Sequence, residues 1–252
     1  DPSMTYSSAL FVDGLTDLEN AQARKYKEMV QRLGLKPEHH VLEIGCGWGG
    51  FAEYAAGTVG CKMTCITVSP AQYEYARERI KNAGLEDLVK IRLQDYRDVK
   101  GQFDRIASIE MFEAVGESYW PTFFETLKSR LKPQGRATLQ IITINDDDFD
   151  DYRKGADYIQ RYIFPGGMLP SLSALSEQIE AAGLKQGNHL SFGKDYAKTL
   201  SLWNDSFQKA WPDLNSETLN TRFKRLWEQY LCYCESGFKV GSIDVIQINI
   251  DA

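Results

Sequence analysis

Short apolar runs alternate with helix-forming stretches over residues 40 to 145, and this alternation determines the predicted architecture. The apolar runs predict five strands, in chain order "HVLEIGCG", "CKMTCITVS", "VKIRLQDY", "FDRIASIEMF" and "RATLQIITI". A helix over residues 17 to 34, with Gly34 as its C-cap, precedes them, and "PAQYEYARERIKNAG" begins a later helix at Pro70. Strands that alternate with helices form a parallel sheet covered on both faces. The predicted fold class is therefore α/β with a doubly wound sheet.

The pattern changes after the fifth strand. Residues 146 to 170 are acidic, aromatic and rich in turn-forming residues, and they are followed by a predicted helix, "SLSALSEQIEAAG", and a predicted strand, "LKQGNHLSFG". Helical stretches follow at 195 to 211 and 216 to 235, and the final "IDVIQINI" alternates as an edge strand does. We therefore predict one domain over residues 1 to 252, with a mostly helical cap at about 146 to 235 inserted into the sheet.

Bulk composition narrows the classes of function. Hydrophobic residues make up 43% and charged residues 25% of the chain, which is ordinary for a globular protein with a full core. The net charge of −6 argues against nucleic acid as a partner, since that usually requires a basic surface. Five irregularly spaced cysteines favour reduced cytosolic thiols over disulfides, and no metal site is expected. No apolar run reaches the roughly 20 residues that span a bilayer.

The stretch "GCGWGG" between the first strand and the next helix holds four glycines. The backbone N–H groups of such a loop, together with the helix N-terminus, bind electronegative groups of dinucleotides or of S-adenosylmethionine. In the dinucleotide fingerprint G-x-G-x-x-G, Gly50 has the spacing of the third glycine, whereas Gly49 stands one place early. The fingerprint also requires a carboxylate at the end of the second strand, and this sequence has none there. A tight turn that only permits close packing is the structural alternative.

The residues around this loop favour S-adenosylmethionine. Glu43 lies two residues before Gly45, where a carboxylate can order the loop or bind the ammonium group of an amino acid. Asp95 follows the third strand and can accept a hydrogen bond from an adenine amino group, and Tyr96 supplies a ring to stack on the base. A solvated turn carboxylate is the alternative for Asp95.

Longer motifs carry a more specific signal. In order along residues 4 to 203 stand "MTYSSALF", "VLEIGCGWGGFA", "ITVSPAQ", "SIEMFEAVG", "FPGGMLPS" and "DYAKTLSLW". On these motifs the chain resembles the cyclopropane-fatty-acid synthase and mycolic acid cyclopropane synthase family of methyltransferases. The resemblance implies a Rossmann-like methyltransferase sheet, with the helical cap over a lipid site. Many members carry an additional N-terminal domain of lipid-binding character. The chain begins without Met, so two expectations stay open, a fragment of a longer protein or a short member of the family.

The resemblance also implies a cofactor site for S-adenosylmethionine, with S-adenosylhomocysteine as the product. The implied contacts are Tyr6, Ser7, Gly45, Gly47, Thr67, Gln72, Asp95, Tyr96 and Ile109. Glu43, Cys46 and Val68, which belong to the same motifs, complete the predicted cofactor site.

The chemistry that the resemblance implies begins with an alkene inside a fatty acyl chain, which attacks the sulfonium methyl group. A carbocation results, and a base must then remove a proton. Family members hold a bicarbonate ion for this step, bound by Glu, His and Tyr side chains and by backbone groups. In this chain the Glu corresponds to Glu113 and the Tyr to Tyr196, whereas the position of the His is held by Ile142.

Two further positions depart from the family pattern. Ser8 replaces a Cys that acts largely through its backbone, and Glu110 stands where a small residue is usual, three residues before Glu113. Two neighbouring carboxylates repel, which raises the pKa of one of them and predicts a protein-borne base. We therefore predict Glu113, Tyr196 and Glu110 as catalytic residues. The alternatives are a surface charge for Glu113, a packed aromatic residue for Tyr196 and a side chain that points into solvent for Glu110. Because Ile142 cannot bind an anion through its side chain, any bicarbonate should be held more weakly than in ring-forming relatives.

The sequence thus predicts an S-adenosylmethionine-dependent C-methyltransferase that acts on an unsaturated acyl chain of a phospholipid and gives a methylated or cyclopropane product. The expected localisation is cytoplasmic, at the inner face of the membrane. The sequence leaves open whether the protein forms a homodimer or needs an accessory protein. Two alternatives remain at this point. A small-molecule methyltransferase would need no base at the sheet edge, and a partner-dependent or non-catalytic binding subunit would explain the missing His.

Overall fold

The computed structural model describes residues 1–12, 14, 16–214 and 219–252. Within them the chain forms one mixed sheet in the order β3-β2-β1-β4-β5-β7-β6. Its strands are β1 (His40–Ile44), β2 (Lys62–Thr67), β3 (Val89–Leu93), β4 (Phe103–Ile109), β5 (Leu131–Ile144), β6 (Lys185–Ser191) and β7 (Ile243–Asp251). The first five pair in parallel, and β7 runs antiparallel to both β5 and β6. The doubly wound α/β fold predicted from the strand–helix alternation is confirmed.

Nine α-helices accompany the sheet in the described part of the chain. They are α1 (Leu18–Leu33), α2 (Gly50–Val59), α3 (Pro70–Asn82), α4 (Trp120–Arg130), α5 (Asp146–Tyr152), α6 (Tyr158–Tyr162), α7 (Leu172–Ala181), α8 (Gly193–Ala210) and α9 (Thr221–Val240). The predicted C-cap is confirmed, since Gly34 ends α1 in the left-handed conformation. At the other end, the Asp17 side chain caps α1 by accepting a hydrogen bond from the backbone N–H of Asn20. None of these helices is long and apolar enough to cross a membrane.

The prediction of β7 as an edge strand is wrong, because β7 lies between β5 and β6. Its alternating polar residues do not face water. Gln247 is fully buried and donates from Nε2 to Gln140 Oε1 on β5 at 3.0 Å, and Asn249 Oδ1 accepts from Thr138 Oγ1 at 2.9 Å. Buried polar groups that pair across neighbouring strands produce the same alternation as a half-exposed strand.

The predicted cap at 146 to 235 is not one continuous insertion. Helix α7 packs against α4, and β6 forms the edge of the sheet beside β7, so both belong to the central fold. The segments outside it are α5 with α6, which follow β5, and α8 with α9, which connect β6 to β7. Helix α9 begins at Thr221, and the predicted start of that helix at 216 lies outside the described residues.

Strand order also determines where a site can form. The chain passes from β1 outward to β3 and then returns to place β4 on the other side of β1. At such a switch point the loops after the two central strands diverge and leave a crevice at their carboxyl ends. The glycine loop follows β1 and the "EMFEAVG" stretch follows β4, so both open onto this crevice. The N-terminal residues cross it, because Arg79 binds the Ser3 carbonyl oxygen and Asp195 accepts from the Phe11 N–H.

Candidate active site

The glycine loop turns sharply out of β1. Gly45, Gly47 and Gly49 have φ values of 81°, 52° and 83°, a region that residues with a Cβ adopt rarely. A Cβ on Gly45 would lie 2.7 Å from Met111 Cγ, and one on Gly47 would lie 3.2 Å from Tyr6 Cε1. The glycines are therefore required both by the backbone turn and by side chains that pack directly on it.

A cavity opens beside this loop. Its lining includes seven of the predicted cofactor contacts, namely Tyr6, Ser7, Glu43, Gly45, Cys46, Gly47 and Ile109. Glu43 is 2% exposed, and burial raises the pKa of its carboxyl to about 7. Its Oε2 atom is buried with no hydrogen-bond partner among the described residues. A buried acceptor without a partner is costly, so this carboxylate fits a positively charged ligand group in the cavity.

The remaining predicted contacts lie around the rim. Thr67 Oγ1 donates to Gln72 Oε1 at 2.8 Å, and Gln72 Nε2 donates to the Tyr6 hydroxyl at 3.2 Å, so the second strand is linked to the N-terminal segment. Val68 is 71% exposed. The structure thus brings Thr67 and Gln72 to the Tyr6 side chain.

Asp95 and Tyr96 lie after β3, as the sequence predicts. Both carboxylate oxygens of Asp95 accept from the Arg97 guanidinium, at 2.9 and 2.8 Å, and this interaction lowers the pKa of Asp95. The Tyr96 ring packs edge-on against Phe123 at 5.5 Å between ring centroids. The carboxylate is therefore ionised and able to accept a further hydrogen bond from a ligand.

A second group of polar side chains lies immediately beyond this cavity, around Glu110. Glu110 Oε1 accepts from the backbone N–H of Ser8 at 2.9 Å and from Gln140 Nε2 at 2.7 Å, and Oε2 accepts from the Tyr196 hydroxyl at 2.6 Å. Burial raises the pKa of Glu110 overall, and the Tyr196 hydrogen bond and the charge of Lys25 offset only part of this increase. All of these neighbours are donors or cations, so they stabilise the ionised carboxylate.

The sequence left the direction of the Glu110 side chain open between the site and solvent. The structure places its carboxylate inside the site. The backbone at Glu110 has φ +48°, a left-handed conformation that costs a residue with a Cβ on the order of 1–2 kcal/mol. This conformation turns the side chain toward Ser8 and Tyr196 directly after β4 ends.

Glu113 lies in the same group but in a different environment. Its Oε1 accepts from the Ile142 N–H at 2.6 Å, whereas its Oε2 is buried without a partner among the described residues. Burial, together with the charge of Glu110, raises the pKa of Glu113 to about 8. At neutral pH, Glu113 is therefore mostly protonated.

Two participants were missed by the sequence analysis, Lys25 and Gln140. Lys25 is fully buried on α1, donates from Nζ to Ser7 Oγ at 2.7 Å, and has its pKa lowered to about 7 by burial, against the opposing charge of Glu110. The signal for Lys25 was its spacing, because it stands four residues from Ala21 and from Met29 on the buried face of the helix. Gln140 carried no signal beyond its place in an apolar strand.

Comparisons with known proteins show to which family the chain is related. The family model "Mycolic acid cyclopropane synthetase" matches residues 1–248. The tuberculostearic acid methyltransferase UfaA1 of Mycobacterium tuberculosis is 40% identical over 98% of this chain and 60% of its own length. The cyclopropane-fatty-acyl-phospholipid synthase of Escherichia coli is 39% identical over 98% of this chain and 62% of its own length. The chain therefore spans about three fifths of these curated relatives.

A solved structure gives the same result for the fold. The crystal structure of the mycolic acid cyclopropane synthase CmaA1 complexed with SAH and CTAB superposes on this chain with a TM-score of 0.91 at 28% identity. The superposition covers 100% of this chain and 91% of the CmaA1 chain. The motifs, the crevice at the switch point and the two neighbouring carboxylates all lie within the matched region. The chain belongs to the mycolic acid cyclopropane synthetase family.

Proposed function

We propose that the protein is an S-adenosylmethionine-dependent C-methyltransferase that acts on the double bond of an unsaturated fatty acyl chain of a phospholipid. The observation that carries this proposal is the direct connection between the cavity and the carboxylate group. Ser7 and Ile109 line the cavity, and the next residues along the chain, Ser8 and Glu110, meet in a hydrogen bond of 2.9 Å. A methyl donor in the cavity would therefore lie beside a base.

The residues of the cavity fit the cofactor. The unpartnered Oε2 of Glu43 would bind the α-ammonium group, and the Gly45 and Gly47 turn would leave room for the amino-acid part. Asp95 and Gln72 would bind the adenosine part, with Tyr96 beside the base. When bound, this cofactor supplies a methyl group on a sulfonium, which is electrophilic enough for an alkene to attack.

The apolar surroundings of Tyr196 suit an acyl chain. The Tyr196 ring stacks on Phe238 at 4.5 Å and meets Trp203 edge-on at 6.2 Å, in a cluster to which Leu10 and Ile142 also belong. The acyl chain would gain the methyl group that the cofactor supplies, together with its positive charge, and the neutral thioether would stay in the cavity lined by Glu43, Gly45 and Gly47. The positive charge that develops on the acyl chain is stabilised by ring faces and by the neighbouring carboxylate.

Proton loss then determines the product. Loss from the transferred methyl group gives a cyclopropane ring, or a methylene group after a hydride shift, whereas loss from a chain carbon gives a methyl-branched alkene. The two curated relatives bear names of both kinds, a cyclopropane synthase and a methyltransferase. The product of this chain is accordingly a methylated or cyclopropane lipid. The enzyme would act at the membrane surface on the cytoplasmic side, alone, as a homodimer or with an accessory protein.

The test is mass spectrometry of lipids from a host that expresses the protein and is fed methionine with a CD3 group. The proposal expects labelled acyl chains, which retain three deuteriums in a branched alkene and two in a ring or methylene product. The E43Q variant serves as the control for cofactor binding and should give little label. Expression of folded protein without any labelled lipid would overturn the proposal.

A further inference from the structure

The bicarbonate ion that the family resemblance implies does not fit the residues of this chain. Its expected ligands are a Glu, a His and a Tyr side chain with backbone groups, and the His position is Ile142. The Tyr196 hydroxyl and the Ser8 N–H are present, but both already donate to the Glu110 carboxylate, at 2.6 and 2.9 Å. An anion of the protein itself therefore takes the donors that would hold bicarbonate.

The carboxylate of Glu110 also has the free capacity that a base needs. Its Oε1 accepts two hydrogen bonds, from Ser8 and Gln140, which uses both lone pairs. Among the described residues, its Oε2 accepts one hydrogen bond, from Tyr196, and keeps a second lone pair. Oε2 is thus the atom at which a proton can be received.

The backbone and the charges around Glu110 maintain this arrangement at a cost. A left-handed residue with a Cβ is strained, and strain of this kind persists mainly where surrounding structure requires it. The buried ammonium of Lys25 lies in the same group and favours the ionised carboxylate. The small residue that the family usually has at this position would avoid this strain, so a role that is only structural does not explain a glutamate here.

Resting on the proposed function, we propose that the Glu110 carboxylate occupies the place of bicarbonate and is itself the base, so that this protein works without bicarbonate. The proton passes from a carbon of the methylated acyl cation to Glu110 Oε2. The electron pair of the broken C–H bond forms the new carbon–carbon bond, as a ring bond or a double bond.

Glu113 has a different part in this arrangement. Its Oε1 accepts a hydrogen bond from the Ile142 N–H, and a pKa raised to about 8 keeps the Glu113 carboxyl mostly protonated at neutral pH. With Glu113 neutral, the two carboxyl groups would not repel each other, and Glu110, which accepts the Ser8, Gln140 and Tyr196 hydrogen bonds, is the member of the pair that we assign as the base.

The first experiment compares methyl transfer by the purified wild-type protein to unsaturated phospholipid vesicles in carbon-dioxide-free buffer and in the same buffer with added bicarbonate. The expected result is the same kcat in both. An increase of tenfold or more on adding bicarbonate would overturn the inference while leaving the proposed function intact. Absence of methylated lipid in both buffers would instead count against the proposed function.

Two substitutions at the same position separate a base from a structural anchor. E110Q keeps the shape but cannot take a proton, and we expect kcat to fall at least a hundredfold with no recovery in bicarbonate. E110G restores a small residue suited to φ +48° and frees the Ser8 and Tyr196 donors. Bicarbonate or formate should then restore activity at least tenfold, and the double variant I142H/E110G should respond at lower bicarbonate concentration. Equal kcat in E110Q and wild type would overturn the inference.

A binding readout that needs no turnover is thermal unfolding of the protein without cofactor, with and without bicarbonate. A ligand that binds only the folded state raises the melting temperature. We expect no rise for wild type and a clear rise for E110G, with sodium chloride at matched ionic strength as the control. A rise for wild type would show that the anion site is free and would overturn the inference, whatever the activity assays give.

Discussion

The backbone N–H of Ile142 donates to Oε1 of Glu113 at 2.6 Å, and it links the end of β5 to the turn that follows β4. The side chain of Ile142 cannot donate a hydrogen bond to a carboxyl group, but the backbone N–H of the same residue can. Because Oε2 of Glu113 has no partner among the described residues, this single bond leaves the carboxyl poorly solvated. Its raised pKa follows from that environment and has measurable consequences for stability.

The stability of the protein should fall with rising pH through the titration of Glu113. Its pKa is raised from 4.5 to about 8, so between these values the folded state holds a proton that the unfolded state has lost. Stability is therefore greatest below about pH 4.5 for this group and decreases by up to about 1.4 kcal/mol per pH unit until about pH 8. E113Q should remove this slope, as measured by urea unfolding across the range, and the exposed-site variant E125Q should keep it. Parallel pH profiles for E113Q and wild type would contradict the prediction.

Loss of the Tyr196 hydroxyl should move the pH profile of activity. The pKa of Glu110 is raised by burial and lowered by the Tyr196 hydrogen bond, so Y196F should raise it further. A base must be ionised to act, and the acidic limb of the kcat profile should therefore shift to higher pH. Loss of a hydrogen bond to a charged group should also reduce kcat roughly tenfold to a hundredfold at neutral pH. The exposed Tyr119→Phe variant is the matched control, and an unshifted limb in Y196F would contradict the assignment.

Lys25 and Glu110 should be energetically coupled, because each is a buried charge that the other stabilises. In a double-mutant cycle with K25M and E110Q, each single variant leaves one charge without its counterpart, whereas the double variant leaves neither. We expect the double variant to be more stable than the sum of the single effects by roughly 0.5–3 kcal/mol. Urea unfolding of the four proteins at one pH measures this, and strict additivity would show that the two charges do not interact.

Affinity for S-adenosylhomocysteine should depend on Glu43, if this carboxylate binds the ammonium group as proposed. E43Q should weaken binding roughly tenfold to a hundredfold by calorimetry, since a charge-assisted hydrogen bond is lost. Because the pKa of Glu43 is raised to about 7, the wild-type affinity should increase as pH rises through 7, and E43Q should lack this dependence. The exposed Glu78→Gln variant is the control. Equal affinities at all pH values would place the ammonium group elsewhere.

Most elements of the central fold, and the crevice beside the glycine loop, could be predicted from the amino-acid sequence. Five apolar runs separated by capped helices are enough to predict a doubly wound sheet, and a glycine loop after β1 predicts a crevice there, because these features depend on local backbone preferences and periodicity. Glu113, Tyr196 and Glu110 were identified through motifs, and the structure brings all three together. Local pattern could not place β7, since buried polar residues such as Gln247 imitate the alternation of an exposed edge.

The contacts of these side chains could not be predicted, because they depend on how distant segments pack. Ser8 and Glu110 stand 102 positions apart, and Tyr196 is 86 positions from Glu110, so no local pattern reports that all three converge. Lys25 looks like a surface cation until α1 packs its face onto the sheet and removes the ammonium from water. The direction of Glu110 depended on a single left-handed φ angle. Charge state and hydrogen bonding follow from burial and from distant neighbours, and these exist only once the chain has folded.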